Sequence, residues 1–117
     1  MRWFVFSLLA LAACAPTQGE EEVELTYYYL QYCRVCDNTR ALVNKLPEEF
    51  HGHVKVRTVQ SLAPEAKEAV ANLKWNSHGL VITRGRKVVY SAADHRANGY
   101  DAHVALRQMM DLPLDCR

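Results

Sequence analysis

Apolar residues recur along this chain with two different periods, and the changes from one to the other divide it into elements. From residue 23 to 31, Val23, Leu25, Tyr27 and Tyr29 share one face while Tyr28 and Leu30 occupy the other. Apolar groups on both faces predict a strand in a sheet interior. From Cys36 onward the period lengthens: Leu42, Leu46 and Phe50 recur every four residues while Arg40, Lys45 and Glu49 fall elsewhere. That spacing predicts a helix, which Pro47 should end or kink. Val54 and Val56 alternate with Lys55 and Arg57, a second strand over residues 54–60. Pro64 suits the first turn of a second helix, whose Ala66, Ala69, Val70 and Leu73 follow the i, i+3, i+4, i+7 rule. Residues 79–83 and 87–91 are short β-branched runs around Arg84-Gly85-Arg86, which predicts a hairpin with Gly85 at positive φ. After a polar stretch at 94–99, Ala102, Ala105, Leu106 and Met109 form one last helical face. The predicted order is βαβαββα, an α/β chain without internal repeats.

The opening residues belong to none of these elements. Arg2 gives a positive start, and residues 3–13 are apolar apart from Ser7. A bilayer-spanning helix needs about 20 apolar residues, so this stretch reads as an export signal. Its end, Leu11-Ala12-Ala13-Cys14, resembles the lipobox of bacterial lipoproteins. The resemblance implies a signal peptide over 1–13, cleavage before Cys14, and lipidation of Cys14 with acyl chains such as palmitate. The alternative is an ordinary secretory signal cut near Ala13 or Ala15. Residues 14–22 then form the lipidated cysteine and a tether, with one proline, one glycine and three successive acids. In lipoproteins of Gram-negative bacteria an aspartate after the lipidated cysteine favours the inner membrane. Ala15 stands there, so the resemblance implies a periplasm-facing protein of the cell envelope, held at the outer membrane in such a host.

Removing the leader leaves 104 of the 117 residues, enough for one domain over 23–117. Arg2 leaves with it, so 13 basic residues balance 13 acidic ones. A neutral chain with no basic run has no electrostatic footprint for nucleic acid.

The candidate chemistry lies where the first strand gives way to the first helix: Cys33-Arg34-Val35-Cys36. Two thiols at this spacing suit thiol-disulfide exchange with a protein thiol or disulfide partner. A purely structural disulfide and a metal site remain open beside it. Cys116 is the odd thiol once Cys14 is lipidated. It reads as a tail thiol of a monomer or as a link to another chain.

The element order, the CxxC after the first strand and the closing hairpin-plus-helix together resemble the thioredoxin-like family. The resemblance implies a four-stranded mixed sheet flanked by helices, with Cys33 exposed at a helix N-terminus and Cys36 one turn inside. It further implies that Cys33 attacks, that Cys36 resolves the mixed disulfide, and that the two join as the disulfide Cys33-Cys36. A helix N-terminus favours the Cys33 thiolate, and Arg34 adds a nearby cation. Tyr32 is expected at the cleft rim.

Three departures from the family pattern matter. Its usual Trp-Cys-Gly-Pro-Cys is Tyr32-Cys33-Arg34-Val35-Cys36 here, and its buried acid six residues before the first cysteine corresponds to Tyr27. The cis-proline that faces the CxxC is replaced by Asn76-Ser77-His78-Gly79. A cis bond without proline costs about 2.5–4 kcal/mol, so a trans link is expected. With Ser77 and His78 in that place, the imidazole could join both sulfurs in a Cys2His set for Cu(I) or Zn(II), although exchange itself needs no cofactor. Weaker clusters are His51-Gly52-His53, read as solvated, and Ser77, His78 and Asp94, which lack a nucleophile elbow and so do not read as a hydrolase triad. Asp94-His95-Arg96 reads as a polar connection. Trp75 is expected beneath the end of the second helix.

Overall fold

The computed structural model describes residues 22–74 and 77–110. The expected signal peptide over 1–13, Cys14, the expected tether before Glu22, Trp75, Asn76 and residues 111–117 with Cys116 lie outside the described residues. Strand β1 (Val23–Tyr29) runs parallel to β2 (Val54–Gln60) and antiparallel to β3 (Gly79–Arg84), which pairs antiparallel with β4 (Lys87–Ala93). The sheet order is therefore β2-β1-β3-β4. The parallel pair requires a crossover, supplied by α1 (Arg34–Val43) and the one-turn α2 (Leu46–Glu49). Helix α3 (Pro64–Asn72) joins β2 to β3, and α4 (Gly99–Met110) follows β4 after a short 3-10 turn over Asp94–Arg96.

Both faces of β1 are used, as its sequence predicts. Val23, Leu25 and Tyr27 pack in one buried cluster with Cys36, Val43, Leu46, Leu80, Ile82, Ala102 and Leu106. This is the layer beneath α1 and α4. Tyr28 points to the other side and packs on Val59, Ala66 and Val70 under α3. The parity of the strands thus sorts side chains into two layers, one on each side of the sheet. No helix among the described residues is long and apolar enough to cross a membrane.

The first predicted helix differs from its expected form. The chain breaks at Asn44 and Lys45, and Pro47 sits in the first turn of α2, where its missing N–H costs nothing. The inward face of α1 is Cys36, Thr39 and Val43, while Leu42 is 51% exposed. Leu42 instead rests on the start of α4: a Cβ added to Gly99 would lie 2.5 Å from Leu42 Cβ. At the hairpin, Gly85 has φ of 60°, as the turn requires. A bulge between Ile82 and Thr83 then shifts the β3–β4 register so that Gly79 faces Ala93. The far end of β4 is therefore one residue further back than an unbroken ladder would put it.

Candidate active site

Cys33 is the N-cap of α1. Its backbone is extended, and its Sγ accepts a hydrogen bond from the Cys36 N–H at 3.2 Å. A sulfur in this position receives one of the helix's four otherwise unpaired first-turn amides, together with the positive end of the helix dipole. Cys36 lies one turn inside and is fully buried, whereas Cys33 is only partly covered. The two are joined as a disulfide with Cα atoms 5.1 Å apart. Tyr32, immediately before Cys33, holds a left-handed φ of 62° and is 96% exposed. It stands at the rim of the pair, and Arg34 is exposed beside it.

The predicted replacement for the cis-proline is arranged differently. No cis peptide bond occurs among the described residues, so Ser77 and His78 are joined in trans. His78 is buried, at 4% exposure. Its Nδ1 lies 2.7 Å from Ser77 Oγ, which in turn donates to Asp94 Oδ1 at 3.1 Å. Asp94 Oδ1 is itself 3.8 Å from His78 Nδ1. In this triangle acid and serine meet the same ring nitrogen, so the acid does not orient the imidazole from its far side as a hydrolase triad needs. Burial pushes the His78 imidazole below its ordinary value, with Asp94 opposing and His95 reinforcing the shift.

The imidazole that meets the cysteines is His95. Its Nε2 lies 3.7 Å from Cys33 Sγ, and one donor atom each from Cys33, Cys36 and His95 fall within 4.8 Å of one another. His78 stands behind it, ring edge against ring, with centroids 5.2 Å apart. Thus the Cys2His constellation anticipated for His78 is assembled around His95. The stretch at 94–96, read from sequence as a polar connection, carries the residue in question. Asp94 has φ of 53° and donates its N–H to the His78 carbonyl at 2.9 Å, which doubles the chain back over Cys33. The signal for this lay in the hairpin: antiparallel pairing counted back from Gly85 brings the residues after β4 beside those before β3.

Tyr27 occupies the place of the family's buried acid. It is 1% exposed and shares the core cluster with Cys36. Burial pushes its hydroxyl up, against a hydrogen bond with Thr39. A phenol so placed stays neutral and supplies no carboxylate to Cys36. Beside Tyr32, a polar hollow of about 240 Å³ is lined by Tyr29, Gln31, Tyr32, Asp37, Arg40 and Gln60. The Arg40 guanidinium there lies 4.3 Å over the Tyr29 ring. A larger apolar hollow of about 440 Å³ lies between Leu42, Leu46, Gly99, Tyr100 and His103 and contains neither cysteine. His51 and Gly52 are exposed, as expected of a solvated loop.

A strand that delivers an N-capping cysteine, with a second cysteine one turn inside and a mixed sheet behind, defines a thioredoxin fold. The chain is similar to thioredoxin from Trypanosoma brucei brucei, with a TM-score of 0.63 and 19% identity over 79% of this chain and 78% of that one. It is also similar to Fasciola hepatica thioredoxin, with a TM-score of 0.62 and 18% identity over 76% and 82% of the two chains. Chlamydomonas reinhardtii thioredoxin f2 aligns with a TM-score of 0.60 and 18% identity over 82% and 85%. No protein-family model matches the chain, and no curated protein does. The likeness therefore lies in the fold.

Proposed function

We propose that this protein is a thiol-disulfide oxidoreductase acting on a protein partner through Cys33 and Cys36. The asymmetry of the pair carries the reading: one sulfur is reachable at a helix start, and the other is shut in the core. From the oxidised state, a partner thiolate attacks Cys33 Sγ, the Cys33–Cys36 bond breaks, and the electron pair leaves on Cys36 with a proton from solvent. A second partner thiolate then attacks the mixed disulfide at the partner's own sulfur. It forms the partner's disulfide and releases Cys33 as a thiolate, which the first-turn amides and the His95 Nε2–H stabilise. Two electrons pass from partner to chain. The same steps reversed oxidise the chain and reduce a partner disulfide.

The leader extends this reading to place. A lipid on Cys14 would hold the domain at the membrane of the cell envelope through residues 15–22, facing the periplasm, with the outer membrane as its site in a Gram-negative host. Support is the resemblance of Leu11-Ala12-Ala13-Cys14 to a lipobox. A Cys14→Ser chain should leave the membrane fraction while the intact chain stays in it.

Exchange is tested with Cys36→Ser, which cannot resolve the intermediate. Made in a Cys14→Ser/Cys116→Ser chain and mixed with a disulfide-bonded peptide, it should accumulate one covalent adduct at Cys33, and Cys33→Ser in the same background should form none. The wild-type couple should fall between about −270 and −120 mV, the span of exchange proteins. A potential below about −300 mV, with no adduct, would reassign the pair as a structural bond.

A further inference from the structure

We propose that the reduced chain binds one Cu(I) ion through Cys33 Sγ, Cys36 Sγ and His95 Nε2. This does not depend on exchange with a partner, since it needs only the opened disulfide. A dithiol supplies two electrons and becomes a disulfide, or a phosphine supplies them and becomes a phosphine oxide with oxygen and protons from water, and both sulfurs are reduced. Both sulfurs bind as thiolates, any remaining thiol proton passing to solvent, and copper stays in the Cu(I) state throughout.

Geometry supports three-coordinate binding. With metal–sulfur and metal–nitrogen bonds of about 2.3 and 2.0 Å set about 120° apart, the two donors stand about 3.7 Å from each other. The distance from His95 Nε2 to Cys33 Sγ is 3.7 Å. Cα atoms 5.1 Å apart let the freed sulfurs open onto a shared ion without moving the backbone of α1. The donor set is also a suitable one, because soft thiolates with a single imidazole hold Cu(I) well, with zinc as the competing ion. Zinc would need water as a fourth donor to complete its tetrahedron, whereas three donors satisfy Cu(I), and the group holds three members among the described residues. Two thiolates and one Cu(I) leave a net negative charge, which sits at the positive end of α1.

The imidazole packs against a second, buried one. His78 packs edge-on behind the His95 ring and is itself tied through Ser77 to Asp94. The His95 ring thus rests against a buried, hydrogen-bonded neighbour while its Nε2 faces Cys33 Sγ. His95 is exposed and Cys33 only partly covered, so one side of the site is open to a donor or acceptor of copper.

The test uses a Cys14→Ser/Cys116→Ser chain, in which Cys33 and Cys36 are the only thiols. After anaerobic reduction by a phosphine and its removal, the chain is titrated with Cu(I) held by bathocuproine disulfonate. One Cu(I) per chain should transfer, X-ray absorption should show two sulfurs and one nitrogen around it, and the oxidised chain should take none. His95→Ala, checked for folding by circular dichroism, should weaken binding by about 10-fold to 100-fold or more, with loss of the nitrogen shell. Failure to bind at equimolar Cu(I) would overturn the proposal. So would His95→Ala binding as tightly as its parent, or zinc being taken in preference to copper.

Discussion

Replacing His95 by alanine isolates what this imidazole does for Cys33. Its Nε2, 3.7 Å from the sulfur, can donate to a thiolate, whereas a disulfide sulfur is a weak acceptor. The contact therefore favours the reduced state. A hydrogen bond to a charged group contributes about 1.5–3 kcal/mol. Because His95 is exposed, water recovers part of it, and the lower end applies. For a two-electron couple about 30 mV corresponds to 1.4 kcal/mol, so His95→Ala should move the Cys33/Cys36 potential about 30 mV more negative. The measurement is equilibration in glutathione buffers containing a copper chelator, followed by acid quench, alkylation and mass determination. His51→Ala, on an exposed loop, serves as the reference and should not shift. A change smaller than about 10 mV, or one toward positive potential, would refute the contact as an influence on the sulfur.

Gly99→Ala should destabilise the domain, because the new methyl would lie 2.5 Å from Leu42 Cβ and 3.0 Å from its Cδ1. A Cβ cannot swing aside, so α1 and α4 must part. Overpacking of this kind costs about 1–3 kcal/mol, set against at most about 1 kcal/mol of helix propensity. The melting temperature should fall by about 5–15 °C, and by less when the same change is made in a Leu42→Gly chain; an unchanged melt in the single variant would show that the contact yields. For His78 the sign follows from its depressed value: the unfolded chain takes up a proton below pH 6.5 that the buried ring refuses. Its contribution is thus fully present above 6.5 and is lost as pH falls through the folded value, with Asp94 opposing the loss and His95 adding to it. Urea midpoints at pH 7.5 and 5.0 should differ more for the wild type than for His78→Gln, and equal differences would contradict this.

The strands were legible because their side-chain period is independent of what surrounds them. Val54–Gln60 was anticipated to the residue, and β1 read as an interior strand is paired on both sides. The first helix was read with the wrong face. The repeat of Leu42, Leu46 and Phe50 runs through two helices, and the break at Asn44 and Lys45 resets the phase between them. Cys33 and Cys36 announced themselves by spacing, whereas the third member of the cluster did not. His78 adjoins the strand facing the CxxC and was the natural candidate, but burial draws it into the core beside Ser77. His95 reaches the sulfur only through a one-residue bulge in β3–β4 and a left-handed Asp94. Neither has a compositional mark, since Val89, left unpaired between Val88 opposite Thr83 and Tyr90 opposite Ile82, looks like any strand residue and Asp94 like any turn residue.

The pairing of Cys33 with His95 spans 62 positions of sequence. During synthesis the two thiols emerge long before the imidazole, and even a fully extended nascent chain holds them apart until the hairpin has closed. Until that moment Cys33 has only what α1 itself supplies. The tuned sulfur is a property of the finished molecule, and its acquisition offers a chemical clock for the last stage of maturation.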